Sequence, residues 1–308
     1  MLMQNKTTPK IYLVIAAILM VNGAGRHLLQ ARPSDSTVTM TTPTQTQPST
    51  PSYMDLVRNF DYNSKAPLDV QEKLVEQIDS LKLIEISFIN PRRWRVVADM
   101  LEPVGPGPYA GLIYLCGNQN DRLAFMDEAR SLAQTGTIVL IIDTSARQIE
   151  TNAIRQSVDN STVQTVIDIR RAVDLLLVQP AVDPRRIGFI GQAMGADLGG
   201  IVAGVEKRIR ALALISCNSR PSAVDGKAAP STFLDGQHYI GYAAPAALLF
   251  QYCEKNDLLP KSVEMELFQA ASQPKTLNWY GTNPLTDSQA RADRLTWLCV
   301  QLGMISIP

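Results

Sequence analysis

Arg186-Ile187-Gly188-Phe189-Ile190-Gly191-Gln192-Ala193-Met194-Gly195-Ala196-Asp197-Leu198-Gly199-Gly200 begins as a short apolar run and ends in a glycine-rich stretch of helical character. The run 187–190 has the length and apolarity of a buried strand, and 194–207 continues as a helix. Between them sits a five-residue turn with glycine at both ends, Gly191-Gln192-Ala193-Met194-Gly195. A strand that reverses this tightly into a helix brings the residues two before and two after the apex together, so both must stay small. The apex itself is Ala193, a methyl group with no nucleophilic atom.

Outward from this turn, strands and helices alternate. Strands are expected over 112–116, 137–142 (ending at Asp143), 211–216, 246–251 and 276–279, and helices over 123–134, 161–178, 258–271 and 288–302. In the long helix 161–178, Val166, Ile169, Val173 and Leu177 share one face, and Ser161 has the chemistry of a cap. Upstream, 81–89 and 94–101 suit an antiparallel pair joined at Asn90-Pro91. Residues 67–80 fit a helix, with Pro67 in its first turn and Leu74 and Ile78 four apart. Near-continuous apolar strands separated by helices predict an α/β fold, a mostly parallel sheet of about eight strands covered on both faces. The Gly-, Ala- and Ser-rich segment 218–244 lies where a short cap would sit.

The N-terminus differs. Lys6 and Lys10 precede an apolar run from Ile11 to Val21, and small residues follow at 21–25. That is the order of a secretory signal peptide, and eleven apolar residues are too few to span a bilayer comfortably. Residues 1–25 are therefore expected to direct export to the periplasm or medium. An uncleaved segment would instead anchor the chain, the one route to a membrane. Residues 26–52 are rich in Ser, Thr, Pro and Gln and are expected to be an extended tether. The domain then spans 53–308.

Composition narrows the chemistry. The chain has 308 residues, 45% of them apolar, with 29 basic and 29 acidic side chains. No run of like charge suggests a nucleic-acid partner. The four cysteines (Cys116, Cys217, Cys253, Cys299) show no metal-ligand spacing, and no metal or cofactor is expected. Cys217 and Cys253 end strands expected to be neighbours and could pair in an exported protein. Only two histidines exist, His27 and His238. That scarcity limits general-base chemistry more than any motif does.

Several stretches then converge. Val182-Asp183-Pro184-Arg185-Arg186-Ile187-Gly188 leads into the turn, and Leu248-Leu249-Phe250-Gln251-Tyr252 precedes Asn256-Asp257. Pro274 to Tyr280 precedes Arg291-Ala292-Asp293-Arg294-Leu295-Thr296-Trp297-Leu298. In this order and spacing, 60–302 resembles the dienelactone-hydrolase or acetyl-esterase-like branch of the α/β hydrolases. The resemblance implies a serine at the turn apex of a G-x-S-x-G motif, then an aspartate, then a histidine. Those positions are Ala193, Asp257 and Pro284, so only the acid is kept. It also implies an oxyanion site near the end of the 112–116 strand, where Cys116, Gly117 and the Met194 amide stand. The family's His-Gly is here Cys116-Gly117.

Other residues could take over. His238, in the cap segment, is either a surrogate base or a surface residue; no nucleophile is placed for it, which favours the surface. Cys116 is either a thiolate at the sheet edge or a small buried side chain. Asp257 is a pocket acid or a turn residue. With serine and histidine both absent, the expectation is an exported pseudo-hydrolase that binds a small molecule or a protein. The alternative is a carboxylic-ester hydrolase with a non-standard or residual site.

Overall fold

The computed structural model describes residues 52–78, 80–115, 121–143, 156–217, 232–255 and 260–304. Nine strands form one sheet: β1 Gln71–Ile78, β2 Leu81–Ile89, β3 Arg95–Pro103, β4 Tyr109–Leu115, β5 Thr137–Asp143, β6 Val182–Gln192, β7 Ile209–Ile215, β8 Ala247–Cys253 and β9 Lys275–Tyr280. Their order across the sheet is β1-β2-β3-β5-β4-β6-β7-β8-β9. β1, β2, β3 and β5 pair antiparallel in succession, and every pair from β5 to β9 is parallel.

Among the described residues, seven helices accompany the sheet: α1 Tyr53–Val57, α2 Asp121–Gln134, α3 Gln156–Val178, α4 Met194–Val205, α5 Gln237–Ile240, α6 Lys261–Ala270 and α7 Ser288–Leu302. Phe125 and Leu132 of α2 and Leu298 and Leu302 of α7 bury one sheet face with Tyr114, Ile190 and Ile215. Val166, Ile169 and Val173 of α3, Ile201 and Val202 of α4, Tyr239 of α5 and Leu267 of α6 bury the other with Ile113, Phe189 and Leu212. The central strands are apolar on both sides because both faces are covered.

Two expectations are corrected. The stretch 67–80 is not helical: residues 71–78 are the edge strand β1, which makes nine strands rather than about eight. Leu74 pairs with Ile84 and Ile78 with Leu81, and the register slips at Val75. Ile84 and Leu81 point to opposite faces, so the four-residue spacing of Leu74 and Ile78 marks a bulged strand, not a helical stripe. Ser161 is no cap either. It lies inside α3, which starts at Gln156, and its carbonyl accepts a hydrogen bond from Thr165 Oγ1 at 2.9 Å.

Candidate functional site

β6 ends at Gln192 and α4 begins at Met194, so Ala193 alone makes the reversal. Its backbone sits at φ 48°, ψ −118°. That region is sparsely populated for a residue with a Cβ and costs about 1–3 kcal/mol. Neighbouring hydrogen bonds hold it there. The Ala193 amide donates to the Ile215 carbonyl at 2.9 Å, and its carbonyl accepts from Ala196 and Asp197 at 2.9 and 3.0 Å. Both glycines of the turn are sterically obligatory. A Cβ on Gly191 would meet the Gly195 carbonyl oxygen at 2.3 Å, and one on Gly195 would meet the Leu115 oxygen at 2.3 Å.

The turn lies at the carboxyl edge of the parallel strands, where open α/β sheets receive ligands. Met194 opens α4 and is 45% exposed. Helix geometry leaves the Met194 and Gly195 amides without an intrahelical acceptor, and the helix dipole adds partial positive charge there. Beside them, Gln192 is buried, and its carboxamide oxygen has no hydrogen-bond partner among the described residues. Ser216, next after the Ile215 that pairs with Gln192, is a second strained non-glycine residue, at φ 50°. Neither Gln192 nor Ser216 was singled out from sequence, because nothing in residue type marks an unpartnered amide or a left-handed serine at a strand end.

Pro284 is buried in the turn between β9 and α7. Its carbonyl accepts from Arg294 Nη1 at 3.5 Å. Arg294 is itself fully buried and forms a two-pronged pair with Glu128 at 2.7 and 2.5 Å, while Nη1 also donates to Gln251 Oε1. Gln251 Nε2 in turn donates to Tyr280 and to the Ala290 carbonyl. A rigid, ion-paired support thus underlies the loop that carries residue 284.

His238 is brought to neither of these places. It is exposed on α5, whose next residue, Tyr239, packs under Gly204; a Cβ there would lie 2.5 Å from the Tyr239 oxygen. Gly204 is ten residues beyond Met194 in α4, about 15 Å along the helix axis. Cys217 and Cys253 are not joined; both are thiols. Cys217 lies 2.8 Å from the Tyr252 hydroxyl, which donates to the Glu264 carbonyl at 2.8 Å. Burial, with the Asp197 charge nearby, pushes the Cys217 thiol well above its ordinary value, against a reactive thiolate. Cys116, Gly117, Asp257 and His27 lie outside the described residues. Among the described residues no cluster of His, Cys, Asp and Glu could hold a metal ion, and no helix is long and apolar enough to cross a membrane.

No protein-family model matches this chain, and no curated protein matches it in sequence. Solved structures do. An acetyl xylan esterase from Paenibacillus sp. R4 superposes with a TM-score of 0.66 at 15% identity, over 81% of this chain and 93% of that one. Acetyl xylan esterase 1 from Thermoanaerobacterium sp. JW/SL YS485 gives 0.63 at 14% identity, with the same coverage of 81% and 93%. A Klebsiella pneumoniae protein provisionally designated a dienelactone hydrolase gives 0.55 at 13% identity, over 77% and 98%. With the strained apex at the end of β6 and helices α2 and α7 on one face of the sheet, this chain has the α/β-hydrolase fold.

Proposed function

We propose that this protein is a binding module built on an esterase frame, in which the carboxyl edge of the sheet around Ala193 holds a small molecule or a protein segment without cleaving it. One observation carries the proposal. The apex keeps its strained backbone, at φ 48° and ψ −118°, yet presents a methyl group. An alanine there cannot form an acyl intermediate. The remaining parts agree. Residue 284 is a proline, and the imidazole of His238 faces solvent near the far end of α4. Loss of single triad members already reduces catalysis to residual rates of about 10³–10⁴ over water. The first amides of α4, which helix geometry leaves without an intrahelical acceptor, remain suited to a carbonyl or carboxylate oxygen. Export, through residues 1–25, belongs to the same proposal and would place the module outside the cytoplasm.

Fluorophosphonate labelling and a panel of p-nitrophenyl esters test this together. The expected result is no labelling and no turnover above background. Labelling that requires the folded state overturns the proposal. A secretion assay with and without residues 1–25 tests export separately.

A further inference from the structure

The connection between β2 and β3, Asn90-Pro91-Arg92-Arg93-Trp94, is a rigid finger tipped with two guanidiniums and an indole. Its base is buried. Asn90 is 2% exposed, and its Nδ2 donates to Asp168 at 3.0 Å. Asn90 Oδ1 accepts from the Arg92 and Trp94 amides at 3.0 and 2.9 Å, and the Asn90 and Arg93 amides close the turn onto the Trp94 and Asn90 carbonyls. The anchored turn leaves Arg92, Arg93 and Trp94 in solvent, Trp94 at 48% exposure. Arg93 stands at φ 63°, a conformation that an arginine adopts at a cost. Arg95, at the start of β3, pairs with Asp69 at 2.6 Å. Arg92 and Arg93 have no carboxylate partner among the described residues. The tip therefore carries a local positive charge on a chain of zero net charge.

The finger stands on the same edge of the sheet as the apex. Val97 of β3 pairs with Asp143, the last residue of β5, while Leu115, the last residue of β4, pairs with Gly191 of β6. Three strand spacings separate β3 from β6, about 14 Å in all. A ligand crossing the carboxyl edge would meet both.

We propose that this finger binds an acidic polysaccharide carrying uronic acids, and so holds a polymer along the carboxyl edge of the sheet. Guanidinium groups take carboxylates in planar, two-pronged fashion, which a lysine could not reproduce. An exposed indole offers a flat apolar face for the C–H face of a pyranose ring. Both needs are met on one short turn whose backbone is already fixed by hydrogen bonds to Asn90, which lowers the ordering entropy that opposes binding. An anionic membrane fits less well. Trp94 is set among charged side chains, without the contiguous apolar face that interfacial insertion uses.

The test is gel retardation of the full chain in polygalacturonate, with dextran as the uncharged control. Retardation is expected in polygalacturonate only, weakened in about 0.5 M NaCl, where charge screening reaches within a few ångströms. Arg92→Gln with Arg93→Gly should reduce the affinity about tenfold or more, one such step being worth about 1.4 kcal/mol. Glycine is at ease at φ 63°, so that variant should keep or raise the melting temperature, which guards against misreading a folding defect. Trp94→Ala should lose binding and Trp94→Phe keep most of it. Absence of retardation, or retardation indifferent to these variants, overturns the proposal. So does binding confined to phosphatidylglycerol vesicles, which would assign the finger to lipid. The retardation of Arg92, Arg93 and Trp94 variants reads the finger, while fluorophosphonate labelling and ester turnover read the apex, so the two proposals can fail independently.

Discussion

A Cβ placed on Gly191 would stand 2.3 Å from the carbonyl oxygen of Gly195, four residues further on. The contact is backbone against backbone, and no rotamer change relieves it. Gly191→Ala, and likewise Gly195→Ala against the Leu115 oxygen, must open the elbow. Overpacking of this kind costs about 1–3 kcal/mol and at times more. In a domain of this size each kcal/mol lowers the melting temperature by about 2–4 °C. Thermal melts should show both variants clearly destabilised. An unchanged melting temperature would mean that the turn is wider than described.

At Ala193 the opposite is expected. Its φ of 48° is costly for alanine and free for glycine. Against that gain stands the greater unfolded-state freedom of glycine, about 0.5–1 kcal/mol. Ala193→Gly should therefore be neutral or stabilising by up to about 2 kcal/mol. Urea unfolding midpoints measure this directly. A marked loss would show that the half-buried methyl is well packed, and that the apex is retained for packing.

These two predictions rest on features that were legible in the chain itself, since Gly-x-Ala-x-Gly between an apolar run and a helix specifies the turn. The parallel strands were legible for the same reason: buried on both faces, they read as unbroken apolar runs. β1 was not. All eight of its residues are exposed, so no face of it is recorded as an apolar pattern, and the bulge at Val75 imitates a helical spacing. The start of α3 is not legible because Val163, the first residue of its apolar face, comes about two turns after the backbone becomes helical. The support beneath residue 284 was invisible for another reason. Glu128, Gln251 and Arg294 come from three separate elements and meet only in the folded chain.

A third prediction concerns acid. Glu206 is buried, which by itself raises its pKa, but hydrogen bonds and charge from Arg208, with Arg170 behind, outweigh burial and bring it below the ordinary 4.5. The same cluster secures the segment before β1. Arg170 donates to the Phe60 carbonyl, and Arg171 to those of Ser64, Ala66 and Pro67. A carboxylate with a depressed folded-state pKa stabilises fully above its unfolded value, and that contribution is lost as pH falls through the folded value. Melting temperature should hold as pH drops toward 4.5 and decline below it. Glu206→Gln should cost about 1–3 kcal/mol at pH 7 and flatten the decline. An equally steep acid decline in the variant would place the titrating group elsewhere.

Reconstruction is the most demanding test of the proposed function. Ala193→Ser returns a hydroxyl to a backbone already in the strained geometry of a nucleophile elbow, beside the first amides of α4. Without a base the hydroxyl stays protonated, so the single variant should hydrolyse p-nitrophenyl acetate no faster than the parent. Pro284→His supplies an imidazole on a loop whose backbone is tied to the buried Arg294–Glu128 pair, so residue 284 should keep its place when proline is removed. A general base contributes about 10²–10⁴-fold. The Ala193→Ser, Pro284→His chain should exceed Ala193→Ser by at least the lower figure and should become reactive to a fluorophosphonate. If serine alone restores turnover, some other group already acts as base above the apex, and the proposal of a non-catalytic module falls. If the double variant binds the probe only after Arg294→Met, the ion pair holds the loop away from the apex, and the frame has been refastened around its missing chemistry.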